Sequence, residues 1–169
     1  KLDRLPVKVG ELSYLGADLA SYEGLPMVAI VGTRKPTPYG KMMTEKLAKD
    51  LSRAGVVIVS GNAIGVDVIA QQSAIQVKGR VISVLPSGLN NIYPATNRPV
   101  VDKILVNNGT IITEFEPGHI PMAHDFLHRN RIVAALSDLV IIPEAAVRSG
   151  SLNTAGHAAK MNIPVFVVP

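Results

Sequence analysis

Asp138-Leu139-Val140-Ile141-Ile142-Pro143, followed closely by Arg148-Ser149-Gly150-Ser151-Leu152-Asn153-Thr154-Ala155, is the stretch on which the fold turns. The first run is apolar and β-branched with no polar alternation, as in a strand covered on both faces. Small, hydroxylated and basic residues then crowd the point where the strand hands over to a helix. Ser151 is expected to cap that helix. The turn thereby offers backbone N–H groups, the hydroxyls of Ser149 and Ser151, the open backbone of Gly150 and the guanidinium of Arg148 to an anion.

Working outward, the same arrangement recurs. Apolar, β-branched runs at Met27 to Gly32, Val56 to Gly61, Val81 to Leu85, Thr110 to Phe115, Asp138 to Ile142 and Pro164 to Val168 alternate with helical patterns. The helices are expected at about Tyr39 to Ala54, Gly65 to Val77, Asn97 to Val106, Ala123 to Leu136 and Leu152 to Met161. Alternation of this kind gives an α/β fold with a mostly parallel sheet between two helical layers. Residues 1–26 fit no βα unit and read as a short arm, in which Leu12 to Leu15 and Leu19 to Tyr22 suit pairing at a sheet edge. The main domain is then 27–169. The chain starts at Lys1 and stops just after Val165-Phe166-Val167-Val168, which resembles a strand in mid-sheet, so the C-terminal part of the fold is expected to be truncated.

Composition narrows the class. The 169 residues are 47% hydrophobic, with four Tyr, three Phe and no Trp, so the core is aliphatic and each exposed aromatic is a candidate for function. The absence of Cys excludes disulfides and Cys-ligated zinc and suits the cytoplasm. No apolar run approaches a bilayer span, which argues against a membrane partner. A formal charge of +4 and a pI near 9.5 favour an anionic ligand.

Loops leaving the carboxyl ends of parallel strands share one rim, where ligands of such folds bind. Gly32-Thr33-Arg34-Lys35-Pro36-Thr37 brings two cations and two hydroxyls to a helix start. Ser60-Gly61-Asn62-Ala63-Ile64-Gly65-Val66-Asp67 brings glycines that admit close approach. Pro86-Ser87-Gly88 and the Arg148 to Ser151 turn complete an anion groove. A mononucleotide P-loop is excluded, since seven residues rather than four separate Gly32 from Gly40 and Met42 stands where Ser or Thr belongs. No G-x-G-x-x-G follows a strand, which excludes a dinucleotide cofactor of that type. His124, Asp125 and His128 lack the Glu of a zinc-protease motif, and no metal is expected. Asp67, Glu114 and Glu144 near strand ends are expected to orient loop amides and guanidiniums.

Phe126-Leu127-His128-Arg129-Asn130-Arg131 sets an aromatic beside cations, a combination suited to unpaired bases on a phosphate backbone. Phe126 equally fits the core face of a helix that also carries Ile132, Val133 and Leu136.

Taken in order, Val28-Ala29-Ile30-Val31-Gly32-Thr33-Arg34, Ser60-Gly61-x-Ala63-x-Gly65-Val66-Asp67, Gly88-Leu89 with Tyr93-Pro94 and Asn97-Arg98, Glu114 with Pro117-Gly118, Phe126-x-x-Arg129-Asn130-Arg131, and Glu144-Ala145-Ala146-x-Arg148-Ser149-Gly150-Ser151-Leu152-x-Thr154-Ala155 resemble the DprA/Smf family of DNA-processing proteins. The resemblance spans about residues 27 to 169. It implies a three-layer, extended Rossmann-like fold that binds single-stranded DNA, dimerises, helps load a RecA-type recombinase on incoming strands in natural transformation or recombination, and has neither cofactor nor catalytic turnover. Carried over by motif, the implied contacts are Arg34, Ser60, Gly61, Gly65, Phe126, Arg129 and Arg131, with Arg148, Ser149 and Ser151 nearby. Ile64 stands where the family commonly has Arg, and Asn62 where it has Leu.

A rival resemblance is to nucleotide phosphoribohydrolases of the LOG type, whose P-G-G-x-G-T-x-x-E turn aligns its G-T with Gly150-Ser151. Thr154 then falls on their catalytic Glu, a loss that argues against hydrolysis. A non-catalytic nucleotide sensor fits the same groove and differs in ligand length.

Overall fold

The computed structural model describes residues 1–5, 9–147 and 149–169. Seven strands form one sheet in the order β1-β5-β4-β3-β2-β6-β7. They are β1 Ser13–Gly16, β2 Met27–Ile30, β3 Val57–Ser60, β4 Val81–Val84, β5 Thr110–Thr113, β6 Leu139–Ile142 and β7 Val165–Val167. All neighbours pair in parallel except β1, which runs antiparallel to β5. All six expected strands are present, each slightly shorter than its apolar run.

Five α-helices connect them: α1 Pro38–Arg53, α2 Val66–Gln76, α3 Arg98–Val106, α4 Ala123–Leu136 and α5 Gly150–Lys160. Strand alternation divides the interior into two cores. Ala29, Val59, Ile82, Val84, Ile112, Val140 and Ile142 pack with Ile132, Val133 and Leu136 of α4 and Ala158 of α5. Val28, Ile30, Ile58, Val81, Ile111 and Ile141 pack on the other face with Ala48 of α1, Ala70 and Ala74 of α2, and Val100, Val101 and Ile104 of α3. Each fully buried Val or Ile contributes about 1.5 to 3 kcal/mol of transfer free energy, so the three layers are held from both faces of the sheet.

Helix starts follow local chemistry. The Thr37 hydroxyl accepts from Gly40 N and Pro38 sits in the first turn, so α1 begins one residue before the expected Tyr39. Ser151 does not cap α5. The helix starts at Gly150 with Ser149 at the cap position, and the Ser149 hydroxyl is bonded to that of Ser151 at 2.6 Å.

One expectation for the N-terminal arm needs correction. Leu12 to Leu15 does reach a sheet edge as β1, but Leu19–Tyr22 is a 3₁₀ turn, because the Asp18 carboxylate accepts from Ala20 N and caps it. Tyr22 is then buried with its hydroxyl 2.8 Å from that of Thr110. Among the described residues β7 pairs with β6 alone and leaves Phe166 and Val167 exposed.

The strand order places the site. The chain moves from β2 outward through β3, β4 and β5, then returns to lay β6 on the other side of β2. The loops after β2 and β6 therefore leave in opposite senses and open a crevice at the carboxyl rim, where open α/β sheets bind ligands.

Candidate nucleic-acid interface

A cleft of about 650 Å³ lies at that switch point. Its floor is the Gly32 and Ala63 loops with Asp67 of α2, and around it stand Arg34 and Tyr93, Phe126, Leu127 and Asn130 of α4, and Ser149 to Ser151 at the start of α5.

The floor is a buried frame. Asp67, all but fully buried, accepts from Gly61 N at 3.0 Å and also from the N–H groups of Ala63 and Gly32. Arg129, 3% exposed, donates to the carbonyls of Gly61 and Val84. Together they tie the ends of β2, β3 and β4. Burial pushes the Arg129 guanidinium down to about 10, with Asp67 pulling it up and Arg34 lowering it further, so it stays charged at neutral pH. Burial likewise raises the Asp67 carboxyl, opposed by Arg129 and the three amides. Gly61 is required here, since a Cβ would strike the Arg129 guanidinium and Asp67. Gly65, at φ +88°, begins α2 with its α-carbon against the backbone of Thr33 and Arg34, where no side chain fits.

Glu144 fixes the first loop from β6. One carboxylate oxygen accepts from both the backbone N–H of Thr37 at 2.9 Å and its hydroxyl at 2.8 Å, and the Glu144 carbonyl accepts from Thr33 N. Asp67, Glu144 and Glu114 thus do what their position near strand ends suggested. Glu114 pairs with Arg131 and faces His128 at 3.5 Å.

Arg34 is exposed, has no ion-pair partner among the described residues, and lies with its guanidinium carbon 5.6 Å from the centroid of the Phe126 ring. Phe126 meets Tyr93 edge-to-face, centroids 5.5 Å apart and planes at 75°. Phe126 is half-buried and belongs to neither core. In the same cleft, α5 directs its first N–H groups at the opening beside Ser149 and Ser151. With Arg34 and Arg129 against the single carboxylate of Asp67, the lining among the described residues is net positive.

The structure thus brings Arg34, Phe126, Arg129, Ser149, Gly150 and Ser151 to the cleft, while Gly61 packs against Arg129 and Gly65 against Arg34 outside its lining. Lys35 is exposed on the same loop but outside the cleft lining. The Ser60 hydroxyl is fully buried and donates to Ile30 O at 2.7 Å, holding β3 to β2. Arg131 points at Glu114 and His128 Nε2 and does not line the cleft. Arg148 lies outside the described residues. His124 and His128 face different carboxylates, Asp125 and Glu114. Sequence reasoning leaves out Tyr93 and Asn130 as site residues. The exposed aromatic is the available signal for Tyr93. Asn130, whose amide donates to Gly150 O at 3.1 Å, sits unremarked between two arginines.

Fold and site together define a Rossmann-like α/β protein with a cationic, aromatic-walled cleft. Among the described residues no helix is long and apolar enough to cross a membrane. The family model of DNA recombination-mediator protein A matches residues 2–169, and the chain belongs to that family. It is 43% identical over 160 residues to protein Smf of Synechocystis, covering 94% of this chain and 40% of that one. It therefore spans less than half the length of that relative. DNA processing protein A from Helicobacter pylori, whose structure is described for a unique single-stranded DNA binding mode, superposes with a TM-score of 0.91 at 43% identity, over 99% of this chain and 76% of that one. DNA processing protein A from Streptococcus pneumoniae gives 0.90 at 35% identity, over 99% and 58%.

Proposed function

We propose that residues 27–169 bind single-stranded DNA in this cleft, with residues 1–26 as an arm that completes the sheet edge. The observation that carries the reading is that the Arg34–Phe126–Tyr93 group and the α5 N-terminus line one cleft. The first offers a π-face for an unpaired base, and the second offers N–H groups and hydroxyls for phosphate. A base that stacks on the ring face under Arg34 displaces the guanidinium toward the neighbouring phosphates. Lys35 adds charge beside that path, and Arg148 is proposed as a further phosphate contact, whereas Arg131 is held by Glu114 away from the cleft.

The protein acts by binding, without turnover or cofactor. Both carboxylates near the cleft are spent on structure, Asp67 on loop amides and Arg129, Glu144 on Thr37. Thr154, where the phosphoribohydrolases have Glu, is 1% exposed and has no acid to offer. Membership of a recombination-mediator family supports the next step, delivery of the strand to a RecA-type recombinase by a cytoplasmic homodimer.

Fluorescence anisotropy with a labelled oligonucleotide tests the reading. Single strands bind more tightly than duplex, and with about three phosphates engaged, log K falls with log salt at a slope of about −2, taking ~0.7 per phosphate. Nucleoside monophosphate competes weakly and releases no free base. Equal or tighter binding of blunt duplex overturns the single-strand reading, and base release that scales with protein overturns the non-catalytic one. Light scattering reads the dimer.

A further inference from the structure

We propose that Tyr93 is a second base-contacting residue of the cleft, closing with Phe126 an aromatic corner that admits only unpaired bases. The inference rests on the single-strand reading above and adds a residue and a source of selectivity to it.

Tyr93 is 47% exposed although the residue before it, Ile92, is buried in the core on the α1–α3 side. Nothing in the interior requires an aromatic there. Its backbone is nevertheless held firmly. The buried Asn62 donates its side-chain amide to the Tyr93 carbonyl at 3.2 Å, and the buried Asn97 donates to the Asn62 carbonyl at 2.8 Å. Asn62 itself sits at φ +59°, a conformation that Asn tolerates better than most residues. Two buried amides and one left-handed residue thus fix an exposed ring at the cleft.

The other aromatics are placed differently. Tyr22 is buried, and Phe115 stacks on His119 with centroids 4.4 Å apart. Tyr14, Tyr39 and Phe166 are exposed but line no part of the cleft. Among the described residues only Tyr93 and Phe126 pair as Tyr or Phe rings, and their planes stand at 75°. A base stacked on one ring of such a pair turns its edge to the other, so face and edge are engaged at once. In a duplex both faces and the pairing edge are already occupied, and entry requires unstacking and unpairing worth a few kcal/mol. The corner is therefore a filter for single strands as well as a contact.

The test compares the parent with Tyr93→Ala, Tyr93→Leu and Tyr93→Phe by anisotropy, on a labelled oligothymidine and on the same strand carrying abasic sites, with melting temperatures taken in parallel. Loss of a base–aromatic stack corresponds to about 5- to 150-fold in affinity. Tyr93→Ala and Tyr93→Leu are expected to show such a loss on oligothymidine, with unchanged salt slope and melting temperature, and to narrow the preference for single strands over duplex. Tyr93→Phe retains most of the affinity. On the abasic strand all four proteins bind alike. Parent-like affinity of Tyr93→Ala on oligothymidine overturns the proposal, as does an equal loss on the abasic strand. If the parent binds single strands and Phe126→Ala weakens them while Tyr93→Ala does not, only this inference fails. If the parent shows no preference for single strands, the reading beneath it fails as well.

Discussion

Arg34 and Arg129 line the same cleft and live in opposite environments. Arg34 stands on an exposed loop over an aromatic ring. Arg129 lies beneath the floor, with its charge set against Asp67 and its N–H groups on the carbonyls of two strand ends. In sequence both are arginines within motifs of one family. In the structure one can be withdrawn from the fold with little consequence and the other cannot. The site is thus built in two layers, a buried frame that sets the loops and an exposed layer that meets the ligand. A family motif records both layers without saying which residue belongs to which.

The largest expected effect comes from breaking the frame. Arg129→Gln leaves Asp67 buried without its counter-charge and two carbonyls without their donor, and should lower stability by about 3 to 5 kcal/mol, read by urea or thermal unfolding. The loss depends on pH in a definite direction. Burial raises the folded-state pKa of Asp67 above its unfolded value, so its contribution is most favourable below about pH 4 and is lost as pH rises through the folded value. Without Arg129 that folded value rises further. The gap in melting temperature between variant and parent should widen from about pH 4 to about pH 7, and adding Asp67→Asn to Arg129→Gln should remove most of the widening. A gap that stays constant over this range would show that Asp67 is not strained by the loss.

Phe126→Ala should act in the other layer and by less. Because the ring belongs to neither core, its removal is expected to cost about 1 to 3 kcal/mol in binding while barely moving the melting temperature. A loss of about 3 to 5 kcal/mol in stability, as for a buried ring, would return Phe126 to the interior and leave the wall to Tyr93 and Arg34.

The same two layers explain what is legible in the sequence. Strands and helices are, since unbroken apolar runs bounded by Gly, Pro or Asn leave little choice, as where Leu139–Ile142 runs straight into Pro143. Of the four glycine- and hydroxyl-rich rim loops three do meet at the cleft, whereas Pro86-Ser87-Gly88 is absent from its lining, with Ser87 fully buried. Leu19–Tyr22 misleads because one Asp18 side chain outweighs the apolar pattern that follows it. Ser151 misleads as a cap for a related reason, the start of α5 being set by backbone geometry that periodicity does not encode. The division between Arg34, Arg129 and Arg131 is illegible, because burial depends on what lies across the cleft. Val84 and Gly61 claim Arg129, and Glu114 claims Arg131, from distant points in the chain. Tyr93 is hidden likewise, its position being fixed by Asn62 and Asn97 on either side of it.

The smallest effect sharpens the contrast most. Arg34→Ala removes an exposed charge that holds no ion pair among the described residues, so melting temperature should not change. If the guanidinium takes a phosphate, its loss weakens all single strands alike and flattens the salt slope by ~0.7, the share of one phosphate. Arg129→Lys provides the matched control, since it keeps the charge within the frame while losing the planar donor pattern that serves two carbonyls. It should lower stability and affinity together and leave the slope where it was, because a guanidinium buried on two carbonyls neutralises no phosphate. A flattened slope in Arg129→Lys would place that side chain on the phosphate backbone and merge the two layers, whereas an unchanged slope and affinity in Arg34→Ala would remove the exposed arginine from the ligand's path.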